Sequence, residues 1–342
     1  MSTVRSHLDS LDPGDRGRGN LVAGQLASGR DIAIPYLLLK GARPGPCLWV
    51  NGNVHGDEIN GTMTAIRLYR ESDPVELCGS LVVTPTANPL AFEARDKHTP
   101  QDGLDLDQAF PGRADGMVTE RLAARLLPEI ASCADVVVSL HSIGWMMDSR
   151  PYAVYKQHPD ASVAERDLLA CIACFEPSVV CRMPVAFAQG ELPGNIAGAL
   201  DYQCLALGKR AFMLELGTAR RLQEDVIAQA LSGFSRLFGH LGMLTAPAHR
   251  KMRLRRVTRR SQKTATRAGI FRALVAPGAL VGAGTPLGEI IDLAGDVVEQ
   301  VRFDHDVIVI GIRAEPVIHL GDRTVFVATE WDDMELGSDH DF

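Results

Sequence analysis

The sequence predicts an α/β protein with a mostly parallel or mixed sheet flanked by helices, followed by a small all-β domain at the C-terminal end. Strand-like apolar runs alternate with helical patterns up to about residue 250, and runs without polar alternation are typical of strands covered on both faces. Beyond residue 250 the helical patterns stop, and short β runs punctuated by glycine continue to Thr329. We therefore divide the chain into a flexible arm at 1–20, a main domain at 21–250, a β-rich domain at 251–330 and an acidic tail at 331–342.

The elements of the main domain follow from local patterns. Apolar, β-branched runs predict strands, and apolar residues recurring every three or four positions predict helices. In chain order we expect a strand at Pro46–Val50, a helix at Ile59–Glu71, a strand at Gly79–Pro85, a helix at Val118–Ala131, a strand at Asp135–Leu140, a helix at Ala161–Phe175, a strand at Lys209–Leu214 and a helix at Glu224–Leu241.

Composition excludes several classes of protein. The chain of 342 residues has a net charge of −7, which argues against a nucleic-acid binder. It has no apolar run of the roughly 18 residues that span a bilayer, and its polar N-terminus lacks the apolar core of a secretory signal, so we expect no membrane association. Seven cysteines do not form a disulfide pattern, which favours the cytoplasm. We expect Cys171 and Cys174, which form a C-x-x-C motif, to be buried and inert.

A basic stretch joins the two domains. Arg250–Arg267 contains nine Lys or Arg residues. One interpretation is an anion or nucleic-acid patch. The alternative, which we favour, is an exposed linker and the first β strand of the β-rich domain, with alternating charges.

Candidate metal ligands follow three of the predicted strands. His55 and Glu58 form an H-x-x-E motif in the loop after the first strand, His141 follows the strand Asp135–Leu140, and Glu215 follows the strand Lys209–Leu214. Sites in open α/β sheets form at the carboxyl ends of parallel strands. Two His and one Glu leave a fourth position open, as in catalytic zinc sites, and a second carboxylate serves as general base. Each motif alone is weak, and only the shared topology supports the site.

The chain resembles the succinylglutamate desuccinylase/aspartoacylase family, within the zinc carboxypeptidase-like group. The motifs that carry the resemblance are Val50–Gly61, Thr86–Ala91, Asp102–Gly112, Val138–Ser142, Leu214–Gly217, Ala276–Gly278 and Val317–Asp322, and together they cover roughly residues 20–330. The resemblance implies one zinc on His55, Glu58 and His141, with Glu215 as general base. It also implies hydrolysis of the amide bond of an N-acylated small molecule, and a biotinyl/lipoyl-like fold for the β-rich domain.

The chain departs from the family pattern at the substrate site. Asp107 and Gln108 stand where the family has Asn and Arg, which hold the substrate's carboxylate. A second family arginine, which polarises the scissile carbonyl, aligns with Lys97, and Arg95 is the alternative. With Asn88, these residues are the expected substrate contacts. Because Asp107 repels a carboxylate and attracts an ammonium group, we expect an N-acylated amine, a diamine derivative or a neutral amide as substrate, not an N-acyl aspartate or glutamate.

Two other functions remain open. A metal-retaining protein that binds a ligand without turnover is favoured by the lost arginine and disfavoured by the intact metal set. A zinc carboxypeptidase is disfavoured because the pair Asp107 and Gln108 offers no cation to a terminal carboxylate. The sequence also leaves a homo-oligomer open.

The β-rich domain has no lysine for a prosthetic group beyond Lys263, at its leading edge. We interpret its histidines, His305 and His319, as structural. We therefore expect this domain to pack against the main domain and shape the mouth of the site, without chemistry of its own.

Overall fold

The computed structural model describes residues 3–184, 196–245 and 252–336. Within these ranges the helices are α1 (Thr3–Ser10), α2 (Ile59–Glu71), α3 (Pro89–Ala94), α4 (Val118–Cys133), α5 (Glu165–Ala173), α6 (Leu200–Ala206) and α7 (Glu224–His240), with a 3₁₀ turn at Leu106–Gln108. The strands of the main domain are β1 (Arg16–Gln25), β2 (Asp31–Lys40), β3 (Arg43–Gly52), β4 (Cys78–Thr84), β5 (Val136–Ile143), β6 (Met147–Ser149), β7 (Tyr152–Lys156), β8 (Val180–Met183) and β9 (Arg210–Thr218). The strands of the β-rich region are β10 (Met252–Thr264), β11 (Gly269–Ala273), β12 (Leu280–Val281), β13 (Gly288–Ile291), β14 (Val297–Val301), β15 (Val307–Arg313), β16 (Val317–Ile318) and β17 (Arg323–Leu336).

A mixed sheet of 13 strands forms the frame of the molecule, in the order β1-β2-β4-β3-β5-β9-β7-β8-β10-β17-β15-β12, with β6 paired to β15. Its centre is parallel, because β3 pairs with both β4 and β5, and β5 pairs with β9. All eight residues of β5 are buried, as expected for a parallel strand covered on both faces. The predicted fold class is confirmed: a mixed α/β sheet flanked by helices, with an all-β region at the C-terminal end.

The β-rich region has its own core but shares the large sheet. Four of its strands form a separate sheet in the order β14-β13-β11-β16. Phe271, Ile290 and Val309 belong to the apolar cluster of this region. However, β10 pairs with β8 of the main domain, so the hydrogen-bonded sheet runs on from one region to the other. The boundary at 250/251 stays a prediction.

The two chain ends differ from the expectation. Residues 3–20 are not a flexible arm, because α1 buries Val4 and Leu8, and the backbone N–H of Val4 donates to Glu129 Oε2 at 2.9 Å. Strand β1 then starts at Arg16. The predicted tail is also wrong for residues 331–336, which complete β17, while 337–342 lie outside the described residues.

Most predicted elements of the main domain are found with shifted ends, and α2 has the predicted bounds. Strand β5 runs to Ile143 and β9 to Thr218, so His141 and Glu215 lie within strands instead of following them. They are direct partners in the parallel register of β5 and β9. Strands β1, β2 and β6–β8 were not predicted.

The basic stretch forms β10 from Met252 to Thr264, which confirms the interpretation as a first strand over that range. Four of its arginines pair with acidic residues of the antiparallel neighbour β17. The pairs are Arg253–Glu335, Arg255–Asp333, Arg256–Asp332 and Arg259–Glu330, each with an N–O distance of 2.9–3.1 Å.

All seven cysteines are free thiols, and six of them are buried. Burial raises the pKa of Cys171 to about 11 and that of Cys174 to about 12, which keeps the C-x-x-C motif protonated, as expected of inert thiols. None of the helices in the described ranges is long and apolar enough to cross a membrane.

Candidate active site

The loop between β3 and α2 is packed too tightly for ordinary side chains. A Cβ atom on Gly56 would lie 1.8 Å from the carbonyl oxygen of Ala91, so only glycine fits. Asn53 has a φ of 51°, in the left-handed region that Asn tolerates better than most residues. This tight turn directs His55 and Glu58 towards the end of β5.

Three side chains from two elements converge at this edge of the sheet. His55 and Glu58 come from the loop, and His141 comes from β5. One donor atom from each lies within 4.8 Å of the other two, and all three residues are buried. The Nδ1 atoms of His55 and His141 lie 2.8 Å and 3.1 Å from the two oxygens of Glu58. The structure therefore brings together the three predicted metal ligands.

Neighbouring groups fix the orientation of each ring. His55 Nε2 lies 2.9 Å from Asp105 Oδ1, and His141 Nε2 lies 3.0 Å from the Ser139 hydroxyl. Lys97 Nζ lies 3.1 Å from the other oxygen of Asp105. A partner on the second ring nitrogen is the usual companion of a metal-binding histidine, because it holds the ring and its tautomer in place.

The donor set fits zinc. Two imidazole nitrogens and one carboxylate are borderline ligands of the kind that catalytic zinc sites use. Glu58 Oε2 is buried and lies 3.1 Å from His141 Nδ1, but it accepts no hydrogen bond of good geometry from the described residues, which leaves this carboxylate oxygen available to a cation.

Mutual electrostatic interactions shift the pKa values of these three groups. Burial alone would raise the pKa of Glu58, but the two histidines outweigh it and lower that pKa to about 2. Burial lowers the pKa of His55 and of His141, and the Glu58 carboxylate overcomes it in both, so each pKa lies above its ordinary value.

Glu215 faces the cluster from the adjacent strand. It is the register partner of His141, and its Oε2 atom is buried without a hydrogen-bond partner among the residues that the structure describes. Burial, followed by the nearby Glu58 carboxylate, raises the pKa of Glu215 to about 7. A carboxyl group with such a pKa is suited to accept and return a proton near neutral pH.

Two neighbouring cavities share lining residues at this site. We call them the outer cleft, of about 710 Å³, and the inner chamber, of about 250 Å³. The residues that line both are His55, Lys97, Tyr152, Met183, Glu215, Arg260 and Phe326. Arg260 and Gln262 on β10 and Arg323 and Phe326 on β17 belong to the wall of the outer cleft, which agrees with the expectation that the β-rich region shapes its mouth.

The other predicted site residues divide into two groups. Lys97 lines both cavities, and Asp107 and Gln108 line the inner chamber. Arg95 lines neither; it contributes to a neighbouring depression beside Gly56. Asn88 is fully buried as the N-cap of α3, its side chain accepting from the Ala91 N–H and donating to the Thr99 hydroxyl, so the structure does not bring it to either cavity.

Three charged residues of the inner chamber and its wall were missed by sequence reasoning. Lys156 lines the chamber and pairs with the fully buried Asp201 at 2.5 Å, and Arg260 completes the set. Lys156 is an isolated cation in a strand that was not predicted, and Arg260 is one of nine basic residues in Arg250–Arg267. The pair with Asp201 forms only in the folded chain.

The fold and the donor set define an α/β protein with a candidate metal site, and the comparisons with known proteins identify its family. The sequence profile of the succinylglutamate desuccinylase/aspartoacylase catalytic domain matches residues 44–241. The chain belongs to this family.

Named relatives support the same assignment. The N-alpha-acetyl-L-2,4-diaminobutyric acid deacetylase of Halomonas elongata is 25% identical over 303 residues, covering 87% of this chain and 86% of the relative. The ectoine utilization protein EutE (DoeB) of Ruegeria pomeroyi, solved with product bound, superposes with a TM-score of 0.77 at 23% identity, covering 93% of this chain and 97% of its own. A succinylglutamate desuccinylase/aspartoacylase structure from Rhodobacter sphaeroides superposes with a TM-score of 0.77 at 23% identity, covering 95% of this chain and 98% of its own. The structural matches establish the fold, and the named activities among these relatives are deacylations.

Proposed function

We propose that this protein is a zinc-dependent deacylase that hydrolyses the amide bond of a small N-acylated compound and releases a carboxylate and an amine. The observation that carries the proposal is the buried cluster of His55, Glu58 and His141 beside Glu215, whose Oε2 atom has no hydrogen-bond partner in the described part of the chain. Family membership and a deacetylase among the relatives support the reaction class.

His55, Glu58 and His141 would hold the zinc, and the cavities beside them would let water and substrate reach it. When bound, the metal polarises the amide carbonyl and lowers the pKa of water. Asp105 and Ser139 keep the two rings in their binding orientation through their second nitrogens.

Glu215 carries the proton in this proposal. Its carboxylate accepts a proton from the attacking water as the carbon–oxygen bond forms. It then returns that proton to the amide nitrogen as the carbon–nitrogen bond breaks, so the amine leaves neutral and Glu215 is regenerated. The raised pKa of Glu215 matches a group that works in both directions.

Lys97 is the proposed partner of the carbonyl oxygen, on which negative charge develops during the attack. Its ammonium group lines both cavities and is held by Asp105 at 3.1 Å. Arg95, the alternative, lies outside both cavities, so we assign this role to Lys97 alone.

We propose that the substrate is an N-acylated amine that also bears a free amino group. Asp107 puts an anion in the inner chamber, and Gln108 adds a neutral amide there, so an ammonium group is attracted. The Halomonas relative, named for an N-acetylated diamino acid, is consistent with this choice. The free thiols suit a cytoplasmic location.

The test uses two compounds. The acid probe is Nα-acetyl-2,4-diaminobutyrate, and the amine probe is N-acetyl-1,3-diaminopropane, the same molecule without its carboxylate. We expect zinc-loaded protein to release amine from at least one probe, and the Glu215→Gln variant to lose that activity while keeping its zinc. Bound zinc without hydrolysis of these or other N-acyl compounds would instead support a ligand-binding role.

A further inference from the structure

Arg260 is a buried cation at the junction of the two cavities. Its residue is 8% exposed, and it lines both the outer cleft and the inner chamber. Its Nε and Nη2 atoms are buried, and neither has a hydrogen-bond partner among the described residues. Tyr152 and Cys181 lie close enough that the positive charge of Arg260 lowers the pKa of each, against the larger effect of burial.

Three other cations around the cavities are neutralised by a carboxylate of the chain, and a fourth, Arg323 in the wall of the outer cleft, is exposed to solvent. Lys97 pairs with Asp105, Lys156 with Asp201 and Arg220 with Asp57, at distances of 3.1, 2.5 and 3.2 Å. Arg260 has no such pair within the described ranges. Buried charges are normally paired because desolvation costs several kcal/mol per ion, so an unpaired guanidinium at a ligand cavity indicates a partner supplied by the ligand.

The local backbone turns Arg260 inward. The register between β10 and β17 shifts on both sides of Arg259, and Arg260 follows directly after this irregularity. Bulges of this kind re-aim side chains and occur next to active sites. The register partner of Arg260 is Ala328, whose side chain has no polar group that could pair with the guanidinium. Arg259 points to solvent and pairs with Glu330, whereas Arg260 enters the pocket.

We propose that Arg260 binds a carboxylate of the substrate, while Asp107 attracts its free ammonium group. The planar guanidinium offers two parallel N–H donors, which match the two oxygens of a carboxylate. The substrate class is then an N-acylated diamino acid, with the scissile amide at the metal cluster and opposite charges at Arg260 and Asp107. This inference rests on the proposed function and deepens it.

The inference revises two expectations. A carboxylate is still disfavoured beside Asp107, as expected, but Arg260 gives it another place in the same pocket. The β-rich region also contributes a binding residue to the site, and does not only shape the entrance.

Arg260→Gln is the variant that tests the inference, with Arg259→Gln as the matched control on the same strand. We expect Arg260→Gln to lower kcat/KM for the acid probe by about 10²-fold, the usual effect of removing one partner of a buried charged pair, and to change it less than about threefold for the amine probe. Arg260→Lys keeps the positive charge but loses the two parallel N–H donors, so its kcat/KM for the acid probe should lie between those of the parent and Arg260→Gln. Arg259→Gln should change neither value.

A second readout does not depend on turnover. Both probes are titrated calorimetrically into zinc-loaded Glu215→Gln protein with and without Arg260→Gln, so that Arg260 is judged even if neither probe is hydrolysed by the parent. We expect the arginine to strengthen binding of the acid probe alone. The thermal midpoint of Arg260→Gln should equal or exceed that of the parent, because the change removes an unpaired buried charge.

Three results would overturn the inference: an equal loss for both probes, no loss for the acid probe, or equal binding of the acid probe with and without Arg260. A fall of the thermal midpoint by several degrees would also contradict it, since that would assign Arg260 a structural partner. Failure of the proposed function is a separate result, namely no hydrolysis by the parent together with arginine-dependent binding of the acid probe.

Discussion

The pocket and the β10–β17 ladder are both dense in charge, but the charges differ in burial. On the ladder, Arg253, Arg255 and Arg259 and their acidic partners have side chains that are 37–84% exposed. In the pocket, the side chains of His55, Glu58 and His141 are 2–9% exposed. Exposed pairs contribute little because water screens them, whereas buried charges persist only where a partner or ligand stabilises them. The exposed pairs of the ladder therefore indicate a structural role, whereas the buried charges of the pocket indicate a functional site.

The largest effect should come from the metal cluster. Glu58→Gln removes the only carboxylate of the three proposed ligands, so we expect loss of zinc and a fall in kcat/KM of at least about 10³-fold, since the metal supplies several kcal/mol of charge stabilisation. Glu93→Gln, an exposed change on α3, is the control and should retain the zinc and the parental kcat/KM. Zinc retained by Glu58→Gln at parental affinity would remove Glu58 from the ligand set.

Glu215→Gln should have the next largest effect. Loss of the proton carrier is expected to cost about 10²–10⁴-fold in kcat while the metal content stays at the parental level. Turnover equal to that of the parent would exclude Glu215 from proton transfer.

Variants of Lys97 and Arg95 compare a cation that lines the cavities with one that lies outside them. Lys97→Ala should lower kcat by about 10²–10³-fold, because it removes a preorganised charge from the carbonyl oxygen. Arg95→Ala should stay within about twofold of the parent, since Arg95 lines neither cavity. Steady-state kinetics of the two variants decides the assignment, and the opposite ranking would restore Arg95.

Substitutions on the β10–β17 ladder should have the smallest effect on stability and activity. Arg255→Ala breaks one exposed pair with Asp333 and should change the free energy of unfolding by no more than about 1 kcal/mol, with kcat/KM unchanged. Urea denaturation measures the first quantity. A loss of several kcal/mol would mean that the ladder is stabilised as strongly as the buried core, which would break the contrast between the two regions.

The sequence predicted the centre of the molecule better than its edges. Helix α2 and strands β3, β4, β5 and β9 were found because buried parallel strands and an amphipathic helix each leave a clear apolar pattern. Strand β1 was missed because it reads RGRGNLVAGQ, with one buried residue in ten, and it is defined by pairing with β2.

The candidate site divides in the same way. His55, Glu58, His141 and Glu215 stand in recognisable motifs, and the sheet topology brings them together. Arg260 lies 119 residues beyond His141 in a stretch that contains nine basic residues, where nothing in the sequence distinguishes it from the others. Only the shifted register and the burial in the folded protein distinguish it.

The metal content of the protein tests the central claim most directly. Purified protein is stripped with a chelator, titrated with zinc, and assayed for bound metal and for hydrolysis of the acid probe at each step. The account predicts one zinc per chain, no hydrolysis by the stripped protein and recovery in proportion to the zinc bound, with no recovery in His55→Ala. Full activity without metal, or one zinc per chain bound equally well by His55→Ala, would contradict it.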